Sequence, residues 1–148
     1  MRIKHNDKIF VAGHNGLVGS SICRILKKKG FKKVVTIDKK KLNLLNQNRV
    51  FKFLKKIKPK FVFIAAAKVG GILTNNSLRG QFIYENLVIQ NNLIHGSYLA
   101  GVKDLIFLGS NCVYPKTCHQ PLKEEYLLNN YLEYTTEPVA IEQMSGKI

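Results

Sequence analysis

The sequence predicts an α/β fold built on a parallel β-sheet with helices on both faces. Short apolar runs alternate along the chain with stretches of helical period, which is the pattern of right-handed βαβ units. The apolar runs are continuous rather than alternating with polar residues, as expected of strands that are buried on both faces. A chain of 148 residues has the length of one domain and can bury a real core.

The elements can be placed in order from the amino terminus. Strands are predicted at the apolar runs, namely residues 8–13, 32–38, 60–67 and 102–110. Helices are predicted at the periodic stretches, namely residues 17–30, 46–59 and 80–101. Gly30 suits a C-cap and Asn46 suits an N-cap. Residues 111–138 have no regular pattern, and a last helix begins near Pro138, a residue suited to a first turn.

Composition favours an ordinary soluble globular protein, with 45% hydrophobic and 22% charged residues. No apolar run reaches the roughly 18 residues of a membrane span, and the first residues lack the apolar core of a signal peptide. The cytoplasm is the expected location. Three scattered cysteines without CxxC spacing predict neither a disulfide framework nor a zinc site, and no metal is expected.

The net charge of +15 raises the question of a nucleic-acid partner. The lysines are not interleaved with aromatic residues, as they would be on a surface that reads nucleic acid. Lys, Asn and Ile are all abundant, which indicates a drift of residue usage toward lysine on solvated surfaces. Neither nucleic acid nor a membrane is therefore expected as a partner, although a basic surface would attract anionic nucleotides.

A glycine triplet follows the first predicted strand and opens the first helix. Gly13, Gly16 and Gly19 stand in the spacing GxxGxxG within AGHNGLVGSS. Gly13 permits a tight turn, Gly16 lets the backbone approach a pyrophosphate, and Gly19 lets the helix pack closely on the strand. The helix N-terminus would then face the phosphates. This context predicts a Rossmann-type, doubly wound dinucleotide-binding fold; the alternative is a glycine-rich turn without a ligand.

The residues at the end of the second strand disagree on whether the dinucleotide is NAD or NADP. Asp38 stands where an acid would hydrogen-bond the adenosine ribose of NAD. Lys39, Lys40 and Lys41 follow directly, and a cation there suits the 2′-phosphate of NADP. A solvated turn with no ligand role is the alternative for each lysine.

The motifs AGHNGLVGS, AAAKVGGILTNN, GSNCVYPK and TEP, in this order, resemble those of the GDP-L-fucose synthases. These enzymes are extended short-chain dehydrogenase/reductases. They act as NADP-dependent 3,5-epimerases and 4-reductases on GDP-4-keto-6-deoxy-mannose. The resemblance covers the whole chain but only the N-terminal half of such an enzyme. It implies an incomplete NAD(P)-binding domain over residues 1–148, truncated after about four strands, with the C-terminal substrate domain absent.

The resemblance also implies roles for single residues. Those that match the cofactor site are Gly13, Asn15, Gly16, Leu17, Val18, Gly19, Asp38, Lys39, Ala65, Ala66 and Lys68. Asn15 stands where the family commonly has Arg beside the adenosine phosphate. NADP is the expected cofactor and NAD the alternative. Surface charge without a ligand is the alternative for Lys68.

Two further matches concern the chemistry on the substrate. Ser110 matches the serine that hydrogen-bonds the C4 oxygen, and Cys112 matches the cysteine that moves protons beside the keto group. Alternatively, Ser110 caps a turn and Cys112 is a small buried apolar residue. His14, His95 and His119 have no motif support.

The catalytic pair of the family is replaced. Where the family has Tyr and Lys four residues apart, EPVAIEQ has Val139 and Gln143, with Glu137 and Pro138 keeping the register. Val139 has no proton to deliver, and loss of a general acid costs roughly 100- to 10,000-fold in rate.

These observations predict a truncated, catalytically impaired homologue. A nucleotide sugar is the expected substrate, and a homodimer partner or a chain completing the sheet is the expected protein partner. In the predicted strand order 3-2-1-4, the fourth strand lies at an open, apolar edge. The alternatives are a non-catalytic nucleotide-binding or interaction module and a basic nucleic-acid binder.

Overall fold

A four-stranded parallel sheet organises the amino-terminal part of the chain. The computed structural model describes residues 3–146, apart from the side chain of Ile72. The strands are β1 (Ile9–Ala12), β2 (Val34–Val35), β3 (Phe61–Ile64) and β4 (Asp104–Phe107), in the spatial order β2-β1-β3-β4. The expectation of a parallel sheet in a mixed α/β fold is therefore confirmed.

The helices are α1 (Leu17–Lys28), α2 (Gln47–Ile57), α3 (Ile72–Ser77), α4 (Arg79–Leu99) and α5 (Glu137–Ser145). The predicted caps are confirmed: Gly30 has φ +80°, and the side chain of Asn46 accepts from the backbone N–H of Arg49 at 3.0 Å. Helix α3 was not predicted. The irregular stretch after β4 contains two short 3₁₀ turns, Asn111–Val113 and Glu124–Tyr126.

The chain divides into two compact units. Unit 1 comprises Met1–Ala67 and Val88–Leu108, and unit 2 comprises Lys68–Leu87 and Gly109–Ile148. Unit 1 contains the sheet, α1, α2 and the second half of α4. Unit 2 contains α3, the first half of α4, both 3₁₀ turns and α5.

The predicted strand order 3-2-1-4 is wrong, because β3 lies on the opposite side of β1 from β2. Residues between β2 and α2 form turns rather than a strand beside β2. The backbone N–H groups of Lys41 and Leu42 both donate to the carbonyl of Asp38 at 2.9 Å, and the Leu42 side chain enters the core. The next strand along the chain therefore pairs with the free side of β1.

Two apolar clusters cover the two faces of the sheet in unit 1. One joins Phe10 and Val62 to Val50 and Leu54 of α2 and to Leu93 of α4. The other packs alternate residues of β1 and β3 against Leu26 of α1. The strands are thus buried on both faces, which explains why their sequences are continuously apolar.

The sheet ends at β4 within the described residues, and one face of that strand is thinly covered. Phe107 and Leu105 pack on the α2 side, but Ile106 shares its face with Phe63 and is 37% exposed. An edge strand that presents unpaired backbone groups beside an exposed apolar side chain is a site for self-association.

We expect Ile106→Lys to slow aggregation of the 148-residue chain, because a charge on an edge strand opposes edge-to-edge pairing. The measurement is light scattering against time at equal concentrations of the two proteins. Ile25→Lys is the matched control, since Ile25 is 54% exposed on α1 and away from the edge. Equal slowing by both substitutions would show that net charge, rather than the β4 edge, governs association.

Candidate functional site

The glycine loop of unit 1 is held by backbone contacts that leave no room for side chains. Gly13 has φ +85°, and a Cβ there would lie 2.4 Å from the carbonyl oxygen of Ala65. A Cβ on Gly19 would lie 2.2 Å from the carbonyl oxygen of Gly13. The loop therefore touches both the segment after β3 and the first turn of α1 through bare backbone.

Gly16 differs from its two neighbours in the triplet. It is exposed, and a Cβ there would meet only the carbonyl oxygen of Gly13, at 3.3 Å. Gly16 is also the N-cap of α1, whose first backbone N–H groups lack partners within the helix. Packing within the chain does not require glycine here, whereas the approach of a pyrophosphate to the helix N-terminus does.

The first two side chains of α1 are apolar and exposed. Leu17 is 87% exposed and Val18 is 52% exposed. Ala65 and Ala66, the other apolar residues predicted to lie along the cofactor, follow β3 and are held beside β1 by a bond from Ala65 N–H to the Ala12 carbonyl at 3.0 Å. Unit 1 thus brings both segments to the carboxyl end of the sheet, where ligands bind in open α/β folds.

The Asp38 carboxylate lies close to two side chains of the glycine loop. The Asn15 amide donates to Asp38 Oδ1 at 3.0 Å, and His14 Nε2 lies 3.4 Å from the same oxygen. The Asp38 side chain remains 54% exposed and able to meet a ribose. The sequence analysis gave His14 no role. Its position in the glycine loop, between β1 and α1, could have indicated that it lies close to the end of β2.

Lys39, Lys40 and Lys41 are all exposed in the turn that follows Asp38. An exposed lysine that follows the acid at the end of β2 is suited to a phosphate on the adenosine ribose, whereas the acid itself is suited to the ribose hydroxyls. The choice between NAD and NADP therefore stays open at this point.

Lys68, in unit 2, is tied to α4. Its ammonium lies 2.8 Å from Glu85 Oε1 and 5.2 Å from the centre of the Phe82 ring. Its backbone N–H donates to Asn86 Oδ1 at 2.6 Å, and its carbonyl accepts from Asn86 Nδ2 at 3.1 Å. The buried Asn86 is a residue that sequence reasoning missed, and the ion pair with Glu85 gives Lys68 a structural task that was not foreseen.

Ser110 and Cys112 lie together in unit 2. Ser110 is the N-cap of the 3₁₀ turn Asn111–Val113, with its Oγ accepting from the Cys112 N–H at 3.2 Å. The same Oγ is 3.2 Å from Cys112 Sγ and 3.3 Å from Asn111 Oδ1. The turn-capping alternative for Ser110 is thus observed, and it places the hydroxyl beside the thiol.

Gln143 is joined directly to this turn. The backbone N–H of Ser110 donates to Gln143 Oε1 at 2.7 Å, and α5 packs against the 3₁₀ turn. A lysine at position 143 has no acceptor and could not make this bond. Val139 lies one turn earlier on the same face of α5. The position that the resemblance assigns to the catalytic lysine is therefore bonded to the turn of Ser110 through an amide, and the position assigned to the tyrosine carries an aliphatic side chain.

Helix α5 is anchored at its start and buries a carboxyl group near its end. Glu137 pairs with Arg79 of α4 at 2.5 Å. Glu142 is 3% exposed, and burial raises the pKa of this carboxyl group to about 7. Sequence reasoning missed Glu142, although an acid next to the replaced lysine position was visible in EPVAIEQ.

The sheet and the glycine loop define the class of protein, a Rossmann-type NAD(P)-binding fold. The sequence profile of the NAD dependent epimerase/dehydratase family matches residues 9–147. The chain belongs to this family.

Among curated relatives, the chain is 48% identical to the GDP-L-fucose synthase of Sinorhizobium fredii over 146 residues, which are 99% of this chain and 46% of the relative. It is 44% identical to the GDP-L-fucose synthase of Escherichia coli over 140 residues, which are 95% of this chain and 44% of the relative. The chain thus spans less than half the length of these relatives.

Among solved structures, the chain is similar to the GDP-mannoheptose C4 reductase of Campylobacter jejuni with NADP bound. The TM-score is 0.94 at 43% identity, over 98% of this chain and 46% of that structure. Among the described residues of this chain, no helix is long and apolar enough to span a membrane, and no group of acidic, His and Cys residues is arranged to hold a metal ion.

The burial of Glu142 predicts a pH-dependent stability. The folded pKa of about 7 lies above the ordinary value of 4.5, so the folded state holds a proton that the unfolded state has released. The resulting stability is fully present below about pH 4.5 and is lost as the pH rises through about 7. At about 1.4 kcal/mol per unit of pKa, the loss is about 3 kcal/mol.

Urea unfolding at pH 5 and pH 8 measures this loss. We expect the free energy of unfolding of Glu142→Gln to change less with pH than that of the wild type. The difference between the two proteins gives the contribution of Glu142, because the other titrating groups are the same in both. Glu124→Gln is the control, because Glu124 is exposed. A wild-type pH dependence in Glu142→Gln would contradict the assignment.

Proposed function

We propose that the chain is the dinucleotide-binding part of a GDP-sugar epimerase/reductase of the GDP-L-fucose synthase type. It binds NADP and is impaired in catalysis. The arrangement of the glycine loop carries the proposal. Gly13 and Gly19 are required by close backbone contacts within the chain, whereas Gly16 is left open at the N-terminus of α1.

NADP rather than NAD is supported by two features. The exposed lysines of residues 39–41 follow Asp38, and they can neutralise a 2′-phosphate. The C. jejuni reductase, which is 43% identical, holds NADP. A GDP-4-keto sugar is the proposed substrate, since the relatives at 48% and 44% identity are named GDP-L-fucose synthases.

Impaired catalysis is supported by the residue types at positions 139 and 143. Reduction of a C4 ketone requires a proton at the oxygen as hydride arrives at the carbon. Val139 has no proton to give, and Gln143 uses its carbonyl oxygen to accept from Ser110 N–H. The Ser110 hydroxyl can still hydrogen-bond a carbonyl oxygen, so this contact to a keto sugar is not lost with the replacement.

The location and partners follow from the same proposal. A nucleotide-sugar enzyme of this type acts in the cytoplasm, as the sequence also predicts. A second copy of the chain, or a chain that completes the sheet beyond β4, is the proposed protein partner. The alternative of a non-catalytic nucleotide-binding or interaction module is favoured by one observation, the replacement of both members of the catalytic pair.

The first experiment tests dinucleotide binding. We expect Gly16→Val to weaken NADPH binding by more than about ten-fold, because a branched side chain occupies the space of the pyrophosphate, and ten-fold corresponds to about 1.4 kcal/mol. The fold should survive, since Gly16 has φ −76° and a Cβ there would meet a single backbone atom, at 3.3 Å. Calorimetric titration gives the affinity and circular dichroism checks the fold.

The matched control for this experiment is Gly71→Val. Gly71 is also the N-cap glycine of a helix, has φ −71°, and has no atom within 4 Å of a built Cβ. Its NADPH affinity should stay near that of the wild type. Equal affinity of Gly16→Val and the wild type would refute the proposed site.

The second experiment restores the catalytic pair. The chain would be fused to the part of the S. fredii relative that extends beyond the matched region, with and without Val139→Tyr and Gln143→Lys. We expect the pair to raise NADPH oxidation with GDP-4-keto-6-deoxy-mannose by roughly 100- to 10,000-fold, the usual contribution of a general acid. Residues four apart share one helix face, so the two new side chains would meet.

The unfused 148-residue chain, with and without the pair, completes the comparison. It should show no turnover in either form, because the fused part supplies the substrate-binding residues. Turnover by the unmodified short chain would overturn the proposed impairment. In that case Ser110, Cys112 or a bound water would supply the proton.

A further inference from the structure

The net positive charge of the chain belongs to unit 1. Of the 24 Lys and Arg residues, 19 belong to unit 1, whereas only three of the nine acidic residues do. Unit 1 therefore has a net charge of +16 and unit 2 a net charge of −1. A general drift of residue usage toward lysine would have enriched both units. The segregation indicates a surface property of unit 1 instead.

Within unit 1 the lysines concentrate at the amino-terminal edge of the sheet. A lysine directly precedes every strand: Lys8, Lys33, Lys60 and Lys103. Lysines also lie at the carboxyl ends of the two helices that lead into this edge. They are residues 27–29 at the end of α1 and residues 55, 56 and 58 at the end of α2. Together these residues form the basic edge.

Backbone bonds hold the members of the basic edge side by side. Ile9 N–H donates to the Lys33 carbonyl at 3.0 Å, and Lys60 N–H donates to the Lys8 carbonyl at 2.9 Å. The pairing of Phe61 with Asp104 places Lys103 next to Lys60. All of these lysines except the half-buried Lys8 are exposed.

Local stabilisation accounts for only part of the basic edge. Lysines in the last turn of a helix complement the negative end of its dipole. This role accounts for the lysines at residues 27, 28, 55 and 56. Of the lysines before the strands, Lys8 donates to the carbonyl of Ile57 at the end of α2 and Lys60 pairs with Asp7, whereas Lys33 and Lys103 are exposed. Like charges packed together oppose folding. The acids nearby are few: Asp7, which pairs with Lys60 at 2.9 Å, and Asp104.

We propose that the basic edge docks unit 1 on the headgroups of an anionic phospholipid surface. The charges are lysines, which act as point charges toward a fluid anionic layer. Arg24 and Arg49 lie outside the edge and bond within or beside their own helices. The aromatic ring at the edge, Phe31, is already stacked against His5 at 5.1 Å. Nucleic acid is less favoured, since its surfaces combine arginines with free aromatic rings.

This mode of docking leaves the dinucleotide site open. The glycine loop lies at the carboxyl end of β1, whereas the basic edge lies at the amino ends of the strands. A unit attached by the basic edge presents Gly16 and Asp38 to solvent. NADPH affinity should therefore be the same in the presence and absence of vesicles.

Flotation of the 148-residue chain with vesicles tests the proposal. We would compare vesicles of phosphatidylcholine alone with vesicles that also contain roughly 30 mol% phosphatidylserine. The anionic lipid gives these vesicles a negative surface potential. The edge variant carries Lys28→Gln, Lys33→Gln and Lys56→Gln. The control variant removes three charges in the turn after β2, away from the amino ends of the strands, with Lys39→Gln, Lys40→Gln and Lys41→Gln. Lys8 and Lys60 are left intact because they make bonds within the chain.

We expect binding to the anionic vesicles only, and weaker binding at higher salt. The edge variant should bind roughly 100-fold more weakly, because each lysine near the surface contributes about five-fold. The control variant should lose less than about three-fold, since charges beyond a Debye length of roughly 8 Å are screened.

Three outcomes would overturn the proposal. One is equal binding to neutral and anionic vesicles, or binding to neither. Another is an equal loss in the edge and control variants. The third is tighter binding to duplex DNA or single-stranded RNA than to the anionic vesicles, with the same dependence on the edge lysines, which would make nucleic acid the partner.

Discussion

The close approach of three backbone segments around Gly13 is the constraint on which the rest of unit 1 depends. The loop after β1 touches the carbonyl of Ala65 on one side and the first turn of α1 on the other. No side chain fits at Gly13 or Gly19, so the position of α1 is set relative to β1 and β3. The same contacts fix the exposed helix N-terminus at Gly16. A structural constraint on packing therefore creates the anion-binding geometry.

The turn of Ser110 is held by hydrogen bonds that include the residue proposed to replace the catalytic lysine. Ser110, Cys112 and Gln143 are joined by bonds of 2.7 to 3.2 Å, and α5 is anchored by Glu137 and Arg79. The amide of Gln143 holds the turn through an acceptor that a lysine lacks. Val139, by contrast, has an aliphatic side chain that cannot form a hydrogen bond.

Local pattern was sufficient to predict the strands, the main helices, their caps and the glycine loop, because each depends on neighbouring residues. Asn46 and Gly30 cap their helices as their residue types require. The strand order was wrong, because it depends on whether residues 39–46 pair with β2 or turn away, and pairing is non-local. The Lys68–Glu85 ion pair and the Ser110–Gln143 bond join residues 17 and 33 positions apart. No periodicity in the sequence reports such contacts.

The residues proposed for dinucleotide binding and those proposed for action on the sugar belong to different units of this chain. The residues proposed to contact the adenosine and pyrophosphate, from Gly13 to Asp38, make their bonds within unit 1. Those proposed to act on the sugar, Ser110 and Cys112, make theirs within unit 2. A substitution at position 139 or 143 removes no contact in unit 1. The proposed dinucleotide site and the proposed loss of the proton donor are therefore separate hypotheses, because the close contacts of Gly13 and Gly19 involve neither position.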